Sequence, residues 1–275
     1  MSFIKEERAD TYLFTVPAFS KTGLVEHGFT CRLGGVSAGD FASFNLAFHV
    51  GDRPEQVRKN RQKMVSLING DLASLVAAEQ VHGHHVSVVG LRERGRGSTA
   101  YDSALPGTDA LITNVPGIIL STYYADCVPV FFLDPVHKAV ALAHAGWKGT
   151  VQQIVVHTVK KMTALYGTNP AECLAAIGPS IGKCCFQVDE PVWKQFARTI
   201  ENYNKFSSFR VPEKWFLDLP GINEHLLIQN GFRRENITQS GLCTSCHNDI
   251  FFSYRKDGGK TGRQAALIML KERCH

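Results

Sequence analysis

The 275-residue sequence contains no run of 18 apolar residues, which excludes a helical membrane span. It has no low-complexity tract and no repeat of fixed period, which excludes solenoids and propellers. Its 24 glycines in 275 residues are far too few for collagen. Neither sign of charge prevails, since 30 Lys+Arg against 25 Asp+Glu leave +5. That balance suits anionic small substrates but lacks the concentrated basic stripe of a nucleic-acid binder, so neither nucleic acid nor membrane is expected as a partner. The opening residues Met1-Ser2-Phe3-Ile4-Lys5-Glu6-Glu7-Arg8 lack the basic start and apolar core of an export signal, and a cytoplasmic location is expected. In that compartment the 8 cysteines are read as thiols or metal ligands rather than disulfides. No Pro- or Ser-rich linker divides the chain, so residues 1–275 are read as a single domain.

What is present, 44% hydrophobic residues, suffices for a sizeable core. Val151, Ile154, Val155, Val159, Met162 and Leu165 recur at helical spacing with Lys160 and Lys161 opposite, and Gly167 with Asn169-Pro170 gives the stop signal. Three more helices are predicted. One runs from Pro54 to about Ile68, with Val57, Met64, Leu67 and Ile68 inward. A second begins near Asp189, with Val192, Phe196 and Ile200 inward. A third spans Pro220 to Asn230 and is ended by Gly231. Residues 86–89, 110–113, 118–123, 129–133, 138–144, 174–177 and 266–270 read as strands, with 109–144 as an antiparallel meander. The charged, glycine-containing segment 92–98 reads as a solvated loop or as a flap that grips an anion.

The segment from Asp126 to Trp147 carries the most chemistry. Asp134-Pro135 marks a tight turn. With Asp134 facing His137, the ladder sets Cys127 directly opposite His144 on one face. Side chains so placed have Cβ atoms roughly 4.5–5.5 Å apart, close enough for a thiolate and an imidazole to share one zinc ion. Pro135-Val136 is not a favoured two-residue turn, however, and a bulge would shift the register. His82, in Gln80-Val81-His82-Gly83, is the candidate third ligand, with Gly83 permitting a close backbone approach. Three protein ligands leave one position for water or substrate, the catalytic pattern. The plain alternative makes Cys127 a small buried apolar residue and His82 a surface histidine.

Further segments join these in a fixed order: Arg32-Leu33-Gly34-Gly35-Val36-Ser37, Asn45-Leu46 with Gly51-Asp52, Thr108-Asp109-Ala110-Leu111-Ile112-Thr113, Asp126-Cys127-Val128-Pro129, His144-Ala145-Gly146-Trp147-Lys148-Gly149, Ala176-Ile177-Gly178-Pro179, and Phe252-Ser253-Tyr254-Arg255 with Thr261-Gly262-Arg263. In this set the sequence resembles the YfiH/YlmD family. Its members were once called polyphenol-oxidase or laccase-domain proteins and are now described as zinc-dependent purine nucleoside phosphorylases with adenosine deaminase activity. The resemblance covers nearly the whole chain. It implies an α+β fold: a single domain of packed mixed and antiparallel β layers flanked by helices. It implies His82, Cys127 and His144 as metal ligands and zinc as the cofactor, with copper as the alternative ion. It implies phosphate and a purine nucleoside as substrates: adenosine, inosine, guanosine or methylthioadenosine. Lys148 departs from the family, where Arg is usual after Trp147; lysine keeps the charge but loses the bidentate fork.

Phosphorolysis requires a phosphate gripped near C1′, a sugar that carries positive charge in the transition state, and a stabilised leaving base. Arg32, Lys148 and Arg255 are the candidates for phosphate, and each alone also reads as a solvated surface charge. Asn45 is a candidate contact to the nucleoside or a turn-stabilising asparagine. Deamination requires a metal-activated water and a proton carrier beside it. Asp126 and Asp109 are candidates for that carrier or for orienting a ligand histidine. Asp126 is assigned to the catalytic set with His82, Cys127 and His144, and Asp109 to the set contacting substrate. The His-x-Glu…Pro-Cys-x-x-Cys signature of base-editing zinc deaminases is absent, so any deaminase activity comes from another site design.

Cys243-Thr244-Ser245-Cys246-His247 matches a haem-attachment pattern that needs export. It reads as structural, because a second zinc site there would need two more ligands and only His247 is close. Cys184 and Cys185, adjacent on an extended chain, would face opposite ways and read as packing residues. His82-Gly83-His84 is a single His-x-His pair, too few for a multicopper oxidase. Beside the zinc enzyme stand a cysteine hydrolase with Cys127 as nucleophile and His144 as base, a copper-dependent phenol oxidase, and a non-catalytic interaction module.

Overall fold

The structure, a computed structural model, describes residues 2–211 and 214–272. Its strands in chain order are β1 (Ile4–Arg8), β2 (Thr11–Thr15), β3 (Val25–Thr30), β4 (Leu75–Ala77), β5 (Val86–Val88), β6 (Ala110–Thr113), β7 (Ile119–Tyr124), β8 (Val128–Asp134), β9 (Ala139–Ala145), β10 (Leu174–Ile177), β11 (Gln187–Asp189), β12 (Ser207–Val211), β13 (Lys214–Leu217), β14 (Ile237–Gln239) and β15 (Gln264–Leu270). The helices are α1 (Pro17–Ser20), α2 (Pro54–Ser66), α3 (Trp147–Val151), α4 (Ile154–Tyr166), α5 (Glu190–Thr199) and α6 (Leu219–Gln229).

Strands β8 and β9 are buried along their whole length because alternate side chains face two different cores. Val130, Phe132, Ala141 and Ala143 pack beneath α4 and α6. Phe131, Leu133, Val140 and Leu142 point the other way, against Phe29, Leu120 and Ile268. The alanines on the helix side of β9 are small enough to let α4 lie close. These strands form the centre of a sheet ordered β14-β10-β8-β9-β6-β5, and the facing sheet is ordered β1-β2-β3-β15-β7-β4. The outer face of that second sheet, with Leu13, Ile119 and Leu267, packs on Met64 and Val65 of α2. The layers therefore run helix, sheet, sheet, helix, a mixed α+β fold. A small sheet, β11-β13-β12, packs with α5 beside them.

Several expectations need correction. The 109–144 stretch is not one meander: β6 pairs with β9, whereas β7 crosses to the facing sheet and pairs with β15 and β4. Both sheets demand doubly buried strands, so local apolar runs do not tell them apart. The β8–β9 ladder pairs Pro129 with His144 and Asp134 with Ala139, two residues away from the expected register. The connection is the longer 135–138, because Asp134 Oδ1 accepts the amides of Val136 (2.9 Å) and His137 (3.0 Å) and Lys138 takes a left-handed φ of 51°. A shift of two preserves facing, so Cys127 and His144 remain on one side. Helix α4 begins at Ile154 because Gln153, at φ 59°, breaks it from α3. Segment 92–98 is neither free loop nor flap: Arg94 bonds Ser74 (2.6 Å), Arg96 bonds the Ala104 carbonyl (3.0 Å), and buried Arg61 donates to the Gly97 carbonyl. Among the described residues, no helix is long and apolar enough to cross a membrane.

Candidate metal centre

Three segments deliver the candidate ligands. His144, the penultimate residue of β9, lies on the face between the sheets, beside Tyr124. Cys127 immediately precedes β8, where Asp126 at φ 89° turns the chain. His82 lies in the 79–84 connection at φ 62°. Left-handed backbone is uncommon for residues other than glycine, and here Asp109 holds it in place. The Asp109 carboxylate accepts the amides of His82 (3.0 Å) and Gly83 (2.7 Å) and bonds Nδ1 of His144 at 2.8 Å. One buried carboxylate thus fixes the loop carrying one histidine and the ring of the other.

The donor atoms of His82, Cys127 and His144 all lie within 4.8 Å of one another, with His82 Nε2 3.8 Å from Cys127 Sγ. A tetrahedral zinc with ordinary bond lengths sets nitrogen and sulfur about 3.6 Å apart. Because Asp109 engages Nδ1 of His144, Nε2 is left to ligate. The donor set and its orientation therefore fit zinc. Space around the trio is tight: a Cβ on Gly146 would sit 2.9 Å from the His82 ring and 3.1 Å from the Cys127 sulfur.

Electrostatics reinforce the trio. Burial opposes ionisation of the Cys127 thiol, but the His144 charge and hydrogen bonds from both histidines outweigh it and bring the pKa down to about 6. Burial likewise opposes protonation of His144, and the Cys127 thiolate with the Asp109 hydrogen bond raises it to about 9. Without metal, the two form a thiolate–imidazolium pair, in which a divalent cation can replace the proton.

A cavity of about 460 Å³ opens beside the three donors, within the size range of small-molecule sites. Its apolar lining includes Trp147, Ile181, Phe186 and Leu219; its polar lining includes Asp126, Tyr254, Arg255 and Arg263. Both Asp126 oxygens are engaged, one by the Thr244 hydroxyl (2.6 Å) and the other by the Arg255 amide (2.7 Å). The Arg255 guanidinium reaches the carbonyls of Cys185 and Gln187, each at 3.1 Å.

The other predicted contacts lie outside the lining. Asp109 is fully buried behind the histidines and is absent from the cavity lining. Arg32 is spent on the carbonyls of Asn248 (2.8 Å) and Ala42 (3.3 Å) and faces Asp257, so it bolts loops together. Asn45, also fully buried, bonds Asp52 (2.9 Å) and accepts the Arg263 amide (2.9 Å), positioning Arg263. Lys148 is exposed on α3, with Nζ 5.7 Å from the Trp147 ring. His84 bonds Gln152 (2.6 Å) and does not join the trio.

Arg263 was not among the predicted contacts, although its motif Thr261-Gly262-Arg263 was visible. It donates through Nη1 to the carbonyls of Thr261 (2.7 Å) and Gly262 (2.9 Å). His49 and Gln80 also line the cavity; Gln80 stands in the His82 motif without an assigned role, and no sequence signal marked His49. Burial, then Arg263 and Arg61, lower the His49 pKa to about 4, so this ring is neutral at neutral pH.

Residues 26–271 match the family described as multi-copper polyphenol oxidoreductase laccase. The sequence is 42% identical over 245 residues to purine nucleoside phosphorylase YlmD of Bacillus subtilis (strain 168), covering 89% of this chain and 88% of that one. It is 35% identical over 233 residues to adenosine deaminase RL5 from an unknown prokaryotic organism, covering 84% and 88%. The fold matches the crystal structure of YlmD from Geobacillus stearothermophilus with a TM-score of 0.93 at 36% identity, covering 98% of this chain and 100% of that one.

Proposed function

The chain belongs to the YfiH/YlmD family, and from that premise we propose that it is a zinc-dependent purine nucleoside phosphorylase that also deaminates adenosine. The observation that carries this is the trio of His82, Cys127 and His144, braced by Asp109, at the edge of a cavity with two arginines and an apolar lining. Adenosine, inosine, guanosine and methylthioadenosine are the substrates to test. A cytoplasmic location belongs to the same proposal, since thiolate ligands persist in a reducing compartment.

When bound, a zinc ion at the trio supplies Lewis-acid chemistry and makes a water more acidic. The chain does the rest. Trp147, Phe186 and Leu219 offer apolar surface for a flat base and displace water. Arg255 and Arg263 give the cavity the positive charge that phosphate requires. In phosphorolysis a phosphate oxygen bonds C1′ as the bond from C1′ to the base breaks; the electron pair leaves with the base, which takes up a proton. In deamination water adds at C6 of adenosine and ammonia departs, leaving inosine. Asp109 keeps His144 in one tautomer throughout.

The donor inventory weighs against a multicopper oxidase. Among the described residues, the two groups placed to hold a metal contain His82 and His144 as their only histidines, the second group being all cysteine. The low Cys127 pKa and raised His144 pKa favour the cysteine hydrolase as the second reading, and metal dependence separates the two.

The deciding experiment incubates adenosine and inosine with native, chelator-stripped and zinc-restored enzyme, with and without phosphate, and separates products by chromatography. Free base should form only with phosphate, and inosine should form from adenosine without it; stripping should abolish both and zinc restore them. Full activity after stripping, or no phosphate-dependent release of base, would contradict the proposal.

A further inference from the structure

A second cluster of metal-capable side chains lies outside the trio. The Sγ atoms of Cys184, Cys185, Cys243 and Cys246 are all within 4.8 Å of one another. The sequence separates Cys184-Cys185 from the Cys243-x-x-Cys246 pair by more than fifty residues, and an extended chain would turn the adjacent pair apart. The structure instead winds 182–186 into a helical turn: the amides of Cys185 (3.0 Å) and Phe186 (2.9 Å) both donate to the Gly182 carbonyl. Consecutive side chains there diverge by roughly 100° rather than 180°, so both thiols reach the same point. A parallel bridge between Ser180 and Cys243 brings the second pair alongside.

We propose that Cys184, Cys185, Cys243 and Cys246 form a second, structural zinc site of four thiolates. The sulfur spacing supports it. Cys246 Sγ lies 3.5 Å from Cys184 Sγ and 3.4 Å from Cys185 Sγ. Tetrahedral zinc with Zn–S bonds of 2.3 Å places sulfurs about 3.8 Å apart. A disulfide would single out one partner for Cys246, whereas two sulfurs here stand at nearly equal distance, as vertices of one tetrahedron. The Gly182 amide donates to Cys243 Sγ at 3.3 Å, a bond that favours sulfur as thiolate. A Cβ on Gly182 would meet the Cys184 sulfur and Cys243 Cβ at 3.3 Å each, so glycine keeps this approach open. All-sulfur tetrahedral coordination with every position filled by protein is the structural pattern of zinc.

The site fastens a wall of the cavity. Thr244, between the two ligands of the second pair, holds Asp126, the residue before Cys127. The Cys185 carbonyl holds the Arg255 guanidinium, and Ile181 and Phe186 flank the first pair on the cavity lining.

Metal analysis by mass spectrometry tests this on full-length protein purified without chelator. Comparing Cys127→Ala with Cys127→Ala/Cys243→Ser/Cys246→Ser isolates the cluster whatever the catalytic trio holds. The first variant should retain one zinc per chain and the second none. Zinc absent from both, or equal in both, would overturn the proposal. If the triple variant does not fold, cobalt(II) replacement in Cys127→Ala supplies the answer. Intense thiolate-to-cobalt absorption with tetrahedral bands is expected, and its absence, or disulfides among the four cysteines in freshly purified protein, would overturn the site.

Discussion

Asp109 does more with one side chain than any other residue near the trio, accepting amides from the His82 loop while fixing the His144 ring. Carboxylates in that position typically govern metal affinity by 10–100-fold. Asp109→Asn should therefore weaken zinc binding by about that factor, measured by competition with a chromophoric chelator. Unchanged affinity would show that the carboxylate does not act through the histidines. At this scale the convergence of His82, Cys127 and His144 was legible, because cysteine and histidine in short glycine-bearing motifs stand out. The roles of Asn45 and Arg32 were not. Whether a polar side chain faces a ligand or the protein's own carbonyls depends on distant segments, such as Arg263 for Asn45 and Asn248 for Arg32. Arg263 shows the converse: its motif was visible, but only the fold places it on the cavity beside Arg255.

The element that sets the trio is the β8–β9 hairpin, and its 135–138 connection is organised by Asp134, which is 1% exposed. Asp134→Ala strips two backbone amides and His137 Nδ1 of their acceptor. A loss of about 2–3 kcal/mol in urea unfolding is expected, together with weaker zinc retention as Cys127 and His144 lose their fixed spacing. A loss within experimental error of zero would mean that the flanking ladder alone fixes the turn. Four helices were legible because proline starts α2, α5 and α6, glycine follows α4 and α6, and apolar spacing marks their inner faces. The register was misjudged because a side chain that rebuilds a turn leaves no periodic signal. The convergence of His144 and Cys127 survived that misjudgement, since the error was two residues and not one.

At the scale of the whole molecule, two sheets bury their shared faces, so a polar group between them needs a partner. His27 is one that is paired: 4% exposed on β3, its Nε2 accepts the Val16 amide at 2.8 Å. Burial disfavours the cation, and although the Glu6 charge opposes this, the pKa falls to about 4. The folded value lies below the unfolded value of about 6.5, so the stabilisation is complete above pH 6.5. It shrinks as pH falls and is gone below about pH 4, amounting to about 3 kcal/mol in full. Urea unfolding between pH 7 and 4.5 should show a steeper loss for the native protein than for His27→Gln. Equal slopes would place the acid sensitivity elsewhere. The apolar runs of β8 and β9 made both legible as strands, but not which sheet β7 joins, because either sheet accepts the same apolar pattern.

The proposed function requires an ion held by His82, Cys127 and His144 with one corner open to the cavity. Anomalous diffraction at the zinc absorption edge, on crystals of protein never exposed to chelator, tests it most directly. The predicted result is a peak within bonding distance of His82 Nε2, Cys127 Sγ and His144 Nε2, with its remaining position facing the cavity. A map without density there, or one in which a fourth protein side chain closes the ion off, would contradict it.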